Sequence, residues 1–70
     1  MDTNLSLYRI FYTVAQCGSI SAAARRLYIS QPAISKSISS LENEIQTHLF
    51  KRTYRGVSLT EAGRLHFHHG

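Results

Sequence analysis

Four side chains with base-recognition chemistry fall within six consecutive positions of this 70-residue sequence: Gln31, Pro32, Ala33 and Lys36. A glutamine amide donates and accepts in one plane, as the exposed edge of adenine requires. A lysine ammonium can donate to the two acceptors of guanine, and small apolar groups suit a thymine methyl. A second group, Lys51, Arg52 and Arg55, puts three cations within five residues, able to reach phosphates or a narrow minor groove. Not one acid occurs between Thr3 and Leu41, although Arg9, Arg25, Arg26 and Lys36 lie there, and the whole chain is at formal charge +4. Local acid depletion of this kind suits a polyanion. On charge alone it equally describes a solvated basic face.

Other chemistries find little to work with. His66, His68 and His69 at i, i+2, i+3 do not share one helical face and have no carboxylate or cysteine beside them, so no metal site and no cofactor is expected. Cys17 excludes an internal disulfide by being alone, and with no companion His or Asp pattern it reads as a small apolar residue. A Gly-rich phosphate loop, a paired-carboxylate arrangement and a Ser/His/Asp constellation are all missing, so an enzyme is not expected. No apolar run approaches the ~20 residues of a membrane span, and the start MDTNLSLYRI lacks the form of a signal peptide. The chain is expected to be cytoplasmic, with no membrane partner.

Periodicity supplies the elements that would hold those side chains. Leu7, Ile10, Phe11, Val14 and Ala15 follow i, i+3, i+4, i+7, i+8, which predicts a first helix from Asn4, its cap, to Cys17, stopped by Gly18. Ser19 caps a short Ala-rich helix over Ile20 to Leu27. After a turn of Tyr28 and Ile29, Ser30 caps a third helix with Pro32 in its first turn. On a wheel Ile34, Ile38, Leu41 and Ile45 fall within about 60° of one another. The far side carries Pro32, Ser35, Lys36, Ser39 and Asn43, a slim surface without the Glu/Lys mixture of a solubility face. Leu7, Phe11, Val14, Ala23, Leu27, Ile34, Ile38 and Leu41 are expected in the core, and Arg25 and Arg26 are expected to flank the second helix and pair with Glu42 or Glu44. Further on, two extended segments about Gly56 predict a hairpin with a basic tip, and Thr60 caps a fourth helix from Glu61.

Helix, tight turn, slim helix and basic hairpin together predict a mainly α fold, a winged helix-turn-helix with a three-helix core and a small β-hairpin wing. In it the second helix crosses the DNA backbone, the third enters the major groove, and Arg52 or Arg55 reaches the neighbouring minor groove. A small helical module gripping an acidic protein would keep the same core but would gain nothing from an acid-free third helix or an arginine-tipped hairpin.

The run GSISAAARRLYISQPAISKSISSLENEI, followed by LFKRTYRGVSLTEAG, resembles the N-terminal DNA-binding domain of LysR-type transcriptional regulators from about Asn4 to Gly63. The resemblance implies base reading by Gln31, Pro32, Ser35 and Lys36, phosphate-side contacts from Ser21, Ser30, Ser39 and Thr53, and a wing reader at Arg52; the chemistry of the residues themselves adds Ala33 and Arg55. It implies a domain over 1–63, with the helix-turn-helix at about 19–45 and the wing at about 49–59, and the start of a truncated linker and dimerisation helix at 60–70. It also implies a longer parent that binds a double-stranded promoter operator as a homodimer or higher homo-oligomer, with a small-molecule effector held by a domain that this sequence lacks. Two positions depart from the pattern. Lys36 stands where many relatives carry arginine, which loses the bidentate fork. Gln46 stands where relatives carry the glycine that closes the third helix, so that helix is expected to end differently or run longer.

Overall fold

A computed structural model describes residues 3–54 and 56–69 of the chain. Four helices and one hairpin follow in the order α1 (Thr3–Cys17), α2 (Ile20–Leu27), α3 (Gln31–Ile45), β1 (Phe50–Thr53), β2 (Gly56–Leu59) and α4 (Glu61–His69). The mainly α winged helix-turn-helix expected from the pattern is the fold observed. α1 starts one residue before the expected cap, so Asn4 lies in its first turn, where backbone N–H groups have no helical partner in any case. The other caps form as their residue types dictate. Ser19 Oγ accepts from the Ala22 N–H at 3.2 Å and Ser30 Oγ from the Ala33 N–H at 3.3 Å. Thr60 Oγ1 accepts from the Gly63 N–H at 3.0 Å while donating to the His48 carbonyl at 2.7 Å.

The helical stripes converge. Phe11 and Val14 of α1, Ala23 and Ala24 of α2, and Ile34, Ile38 and Leu41 of α3 form the buried cluster. The small side chains of α2 let the other two helices come close around it. Leu7 and Leu27, expected in the core, are half-buried against its edge; each sits near an end of its helix, where fewer neighbours can cover it. Cys17 packs against the cluster in the same manner.

α3 stops at Ile45 and does not run on. Gln46 adopts the left-handed conformation itself, at φ 56° and ψ 42°, as the missing glycine would have done. Its backbone N–H and its side-chain Nε2 both donate to the Asn43 carbonyl, the latter at 2.8 Å. These bonds hold a side chain in a region that disfavours L residues by about 1–2 kcal/mol.

The hairpin pairs Phe50 with Leu59, Lys51 with Ser58, Arg52 with Val57 and Thr53 with Gly56. Its inner residues, Phe50, Val57 and Leu59, pack on the core. Leu49, just before β1, is wholly buried and joins the three helices to the wing. α4 lies against α1 through aromatic rings, Phe67 being 5.3 Å from Tyr12 and 6.4 Å from Phe11, and the Tyr12 hydroxyl donates to the His66 carbonyl at 3.3 Å.

Candidate nucleic-acid interface

The first turn of α3 stands at the surface. Ser30, Gln31, Pro32 and Ala33 are all exposed there, and Lys36 follows one turn later. The helix can project this turn because Ile34, Ile38 and Leu41 anchor its other side in the core. Its leading N–H groups and the positive end of its dipole point outward with the exposed side chains, an arrangement suited to an anion. The Ala33 N–H is already engaged by a side chain, that of the Ser30 cap.

Arg52 stands on β1 and borders two clefts between α3 and the wing. One, about 140 Å³, brings it together with Ser35 and Ser39 over an apolar floor that includes Ile38 and Phe50. This volume falls below that of a typical small-molecule pocket, which begins near ~300 Å³, so the cleft is a seam between two elements. The second joins Arg52 and Thr53 to Gln31 of α3 and Ser21 of α2. Residues far apart in sequence therefore share clefts with Arg52: Ser35 and Ser39 line the first, and Ser21, Gln31 and Thr53 the second. Ser21 and Ser35 are half-buried along the seam, Ser39 is exposed, and the Thr53 hydroxyl lies 3.4 Å from the Gly56 carbonyl, to which it donates. Pro32, Ala33 and Lys36 stand on the exposed flank of α3. Arg55, expected at the hairpin tip, lies outside the described residues.

What holds the wing at this distance from α3 was not read from the sequence. Glu42 was, with Glu44, one of two acids expected to pair with Arg25 and Arg26. Instead its Oε2 accepts from the backbone N–H of Leu49 at 2.7 Å and of Phe50 at 3.2 Å, and its Oε1 lies 3.8 Å from His48 Nδ1. The reason is geometric: Glu42 faces the turn that leads into β1, whereas Arg25 and Arg26 are exposed on α2. A second tie secures the other edge, where the Val57 N–H donates to the Gly18 carbonyl at 3.2 Å. Gly56 has φ +136°, and a Cβ there would stand 2.4 Å from the same Gly18 oxygen. A third lies at Gly63, where a Cβ would fall 2.1 Å from the Leu49 carbonyl oxygen, so α4 can pass the wing only without a side chain. A glutamate three residues before a helix end, and glycines within and after the wing, were visible signals; their partners were not.

Comparison with known proteins bears on this geometry. Residues 5–64 match the family model for the bacterial regulatory helix-turn-helix protein, lysR family. The chain belongs to the lysR family. It is similar to the HTH-type transcriptional regulator ClcR of Pseudomonas putida, with 56% identity over 55 residues, 79% of this chain and 19% of ClcR. Among solved structures it resembles the CbnR_DBD–DNA complex at TM-score 0.88 and 35% identity, covering 99% of this chain and 77% of that one. It also resembles the BenM_DBD complex with catB site 1 DNA at TM-score 0.87 and 32% identity, covering 99% and 75%. The chain spans between 19% and 42% of the length of the curated relatives it matches first. Within this lysR-family domain, no helix among the described residues is long and apolar enough to cross a membrane.

Proposed function

We propose that this chain binds duplex DNA sequence-specifically, as the operator-reading domain of a bacterial LysR-type transcriptional regulator. The observation that carries the reading is that Arg52 of the wing borders one cleft with Ser35 and another with Gln31, both residues of α3. One element for the major groove and one cation for the minor groove are thereby held in a single frame. The likeness to two protein–DNA complexes over 99% of the chain supports it.

In this reading α3 lies in the major groove. Gln31 and Lys36 bond base edges, with Pro32, Ala33 and Ser35 in close contact beside them. Ser21, Ser30, Ser39 and Thr53 fix the register through phosphates, and Arg52 enters the minor groove, with Arg55 as a further contact. The task is binding, without catalysis and without a cofactor. Residues 1–63 form the binding domain, and 60–70 begin a linker helix through which the full-length parent forms a homodimer or higher homo-oligomer. Two copies then occupy half-sites about 34–36 Å apart, or one helical turn. A small-molecule effector acts through the remainder of the parent.

The experiment is a salt titration of binding to promoter and mixed-sequence duplexes, followed by fluorescence anisotropy with heparin as competitor. A bound pair that neutralises about 6–8 phosphates gives a slope of log affinity against log salt near −6. A slope flatter than about −2, or binding to acidic proteins and not to duplex, refutes the proposal.

A further inference from the structure

Arg25 and Arg26 stand side by side in the last turn of α2, both exposed. A cation there complements the negative end of the helix dipole, and that role is indifferent to which side of the helix carries the charge. The two side chains nevertheless face different surroundings.

Ser21 and Arg25 are one helical turn apart and share a side of α2. Together they line a groove whose other wall is Ser30 and Gln31, the start of α3. Arg26 is turned about 100° further round the helix and does not line it. No acid occurs among the described residues that line this groove, and Arg25 is the one charged side chain among them. The acids that charge pattern offers to Arg25 are elsewhere. Glu42 is turned to the start of β1, and Glu44 is about 20 Å along α3 from Gln31, beyond the reach of a guanidinium in the groove. Ser21, Ser30 and Gln31 are the residues that the DNA-binding reading sets against phosphates and a base. A guanidinium that joins them, with no carboxylate beside it, faces where one strand of a duplex would run.

We propose that Arg25 is a phosphate contact of the DNA face, its guanidinium N–H groups donating to the backbone of the strand that passes Ser21 and the start of α3, and that Arg26 lies outside the contact. This rests on the DNA-binding reading above. A phosphate contact carries no sequence information, so its loss must register on any duplex.

The test compares the two arginines on operator and mixed-sequence duplexes by fluorescence anisotropy across a salt series. Arg25→Gln is expected to weaken both duplexes alike, roughly tenfold, as the loss of hydrogen bonds to a charged acceptor, and to flatten the salt slope by about one. Arg26→Gln removes the same charge from the same turn, yet acts only through screened solvent, so it is expected to bind within about threefold of the unmodified chain and keep its slope. Both glutamine variants are expected to melt together, since each loses one dipole partner and glutamine matches arginine in helix propensity. Arg25→Lys returns the charge without the fork and is expected to restore the slope and part of the affinity. Equal losses from the two glutamine variants would overturn the proposal, because the net field and not a contact would then be at work. An unchanged slope for Arg25→Gln would overturn it too, as would a loss confined to the operator, which marks base reading. So would a lysine variant as weak as the glutamine one, which marks packing. An unmodified chain that fails to bind duplex at low salt overturns the regulator reading itself.

Discussion

Replacing Glu42 by alanine is expected to loosen the wing before it disturbs the helices, and its size can be worked from the contacts. One oxygen accepts two backbone N–H groups, and the side chain is only 16% exposed. Leu49 is wholly buried, so its N–H would lose its partner without gaining water, at a cost of about 1–3 kcal/mol. Phe50 is half-buried, and its N–H recovers part of its loss from solvent. A carboxylate in the last turn of α3 also opposes the helix dipole, so its removal returns about 0.3–1 kcal/mol. The net is about 1–3 kcal/mol against a total of roughly 4–10 for a domain of 70 residues. In thermal denaturation this corresponds to a fall of about 4–24 °C. Glu42→Gln keeps an oxygen for both donors and loses only the charge, so it should cost about 1 kcal/mol. An alanine variant that melts within 2–3 °C of the unmodified chain, on the order of measurement scatter, would refute the view that this carboxylate holds the wing.

Gly56→Ala and Gly63→Ala are each expected to destabilise by about 2 kcal/mol or more, through a 2.4 Å and a 2.1 Å approach to backbone oxygens; for Gly63 this outweighs the roughly 1 kcal/mol gained by alanine in a helix, and urea titration checks both. Gln46→Gly should raise the melting temperature by a few degrees, relief of about 1–2 kcal/mol of left-handed strain exceeding the greater freedom of the unfolded chain. Gln31→Ala or Lys36→Ala should cost about 1–3 kcal/mol on the operator and much less on mixed sequence, measured by anisotropy on both. Arg52→Ala should weaken both duplexes, flatten the salt slope by about one, and show the greater loss on A·T-rich flanks, where a narrow minor groove attracts arginine.

How much of this was legible in the sequence depended on the range of the interaction. The caps at Ser19, Ser30 and Thr60 are local: a short hydroxyl three residues before its N–H partner leaves little choice. The stripe Ile34, Ile38, Leu41 is nearly as local, since helical period alone places it on one side. Gln46 shows the opposite limit. Its side chain predicted a changed helix end, yet tertiary packing of the following Leu49 and Phe50 requires the chain to turn at that point, and the backbone takes the strained conformation. Of the two acids offered to Arg25 and Arg26, Glu42 finds other partners for a similar reason. Charge pattern nominates Arg25 and Arg26 as partners, but a carboxylate accepts a backbone N–H as readily as a guanidinium, and only the fold reveals which is nearer.

The candidate site divides along the same line. The residues proposed to touch bases sit on one helix in six positions, so their grouping is written in consecutive letters. Their use depends on where Arg52 stands, and that is set by three contacts between segments remote in sequence: Glu42 to the start of β1, Val57 to Gly18, and Gly63 against Leu49. All three end on backbone atoms. A backbone partner carries no side-chain signature, which is why the wing's position was the least legible part of the interface. It also gives that position a firmness that surface ion pairs lack, because an N–H or a carbonyl cannot swing away on a flexible stem. Helix and wing are therefore expected to meet a duplex as one rigid unit, with the adaptable contacts confined to Lys36, Arg52 and the side chains at the rim.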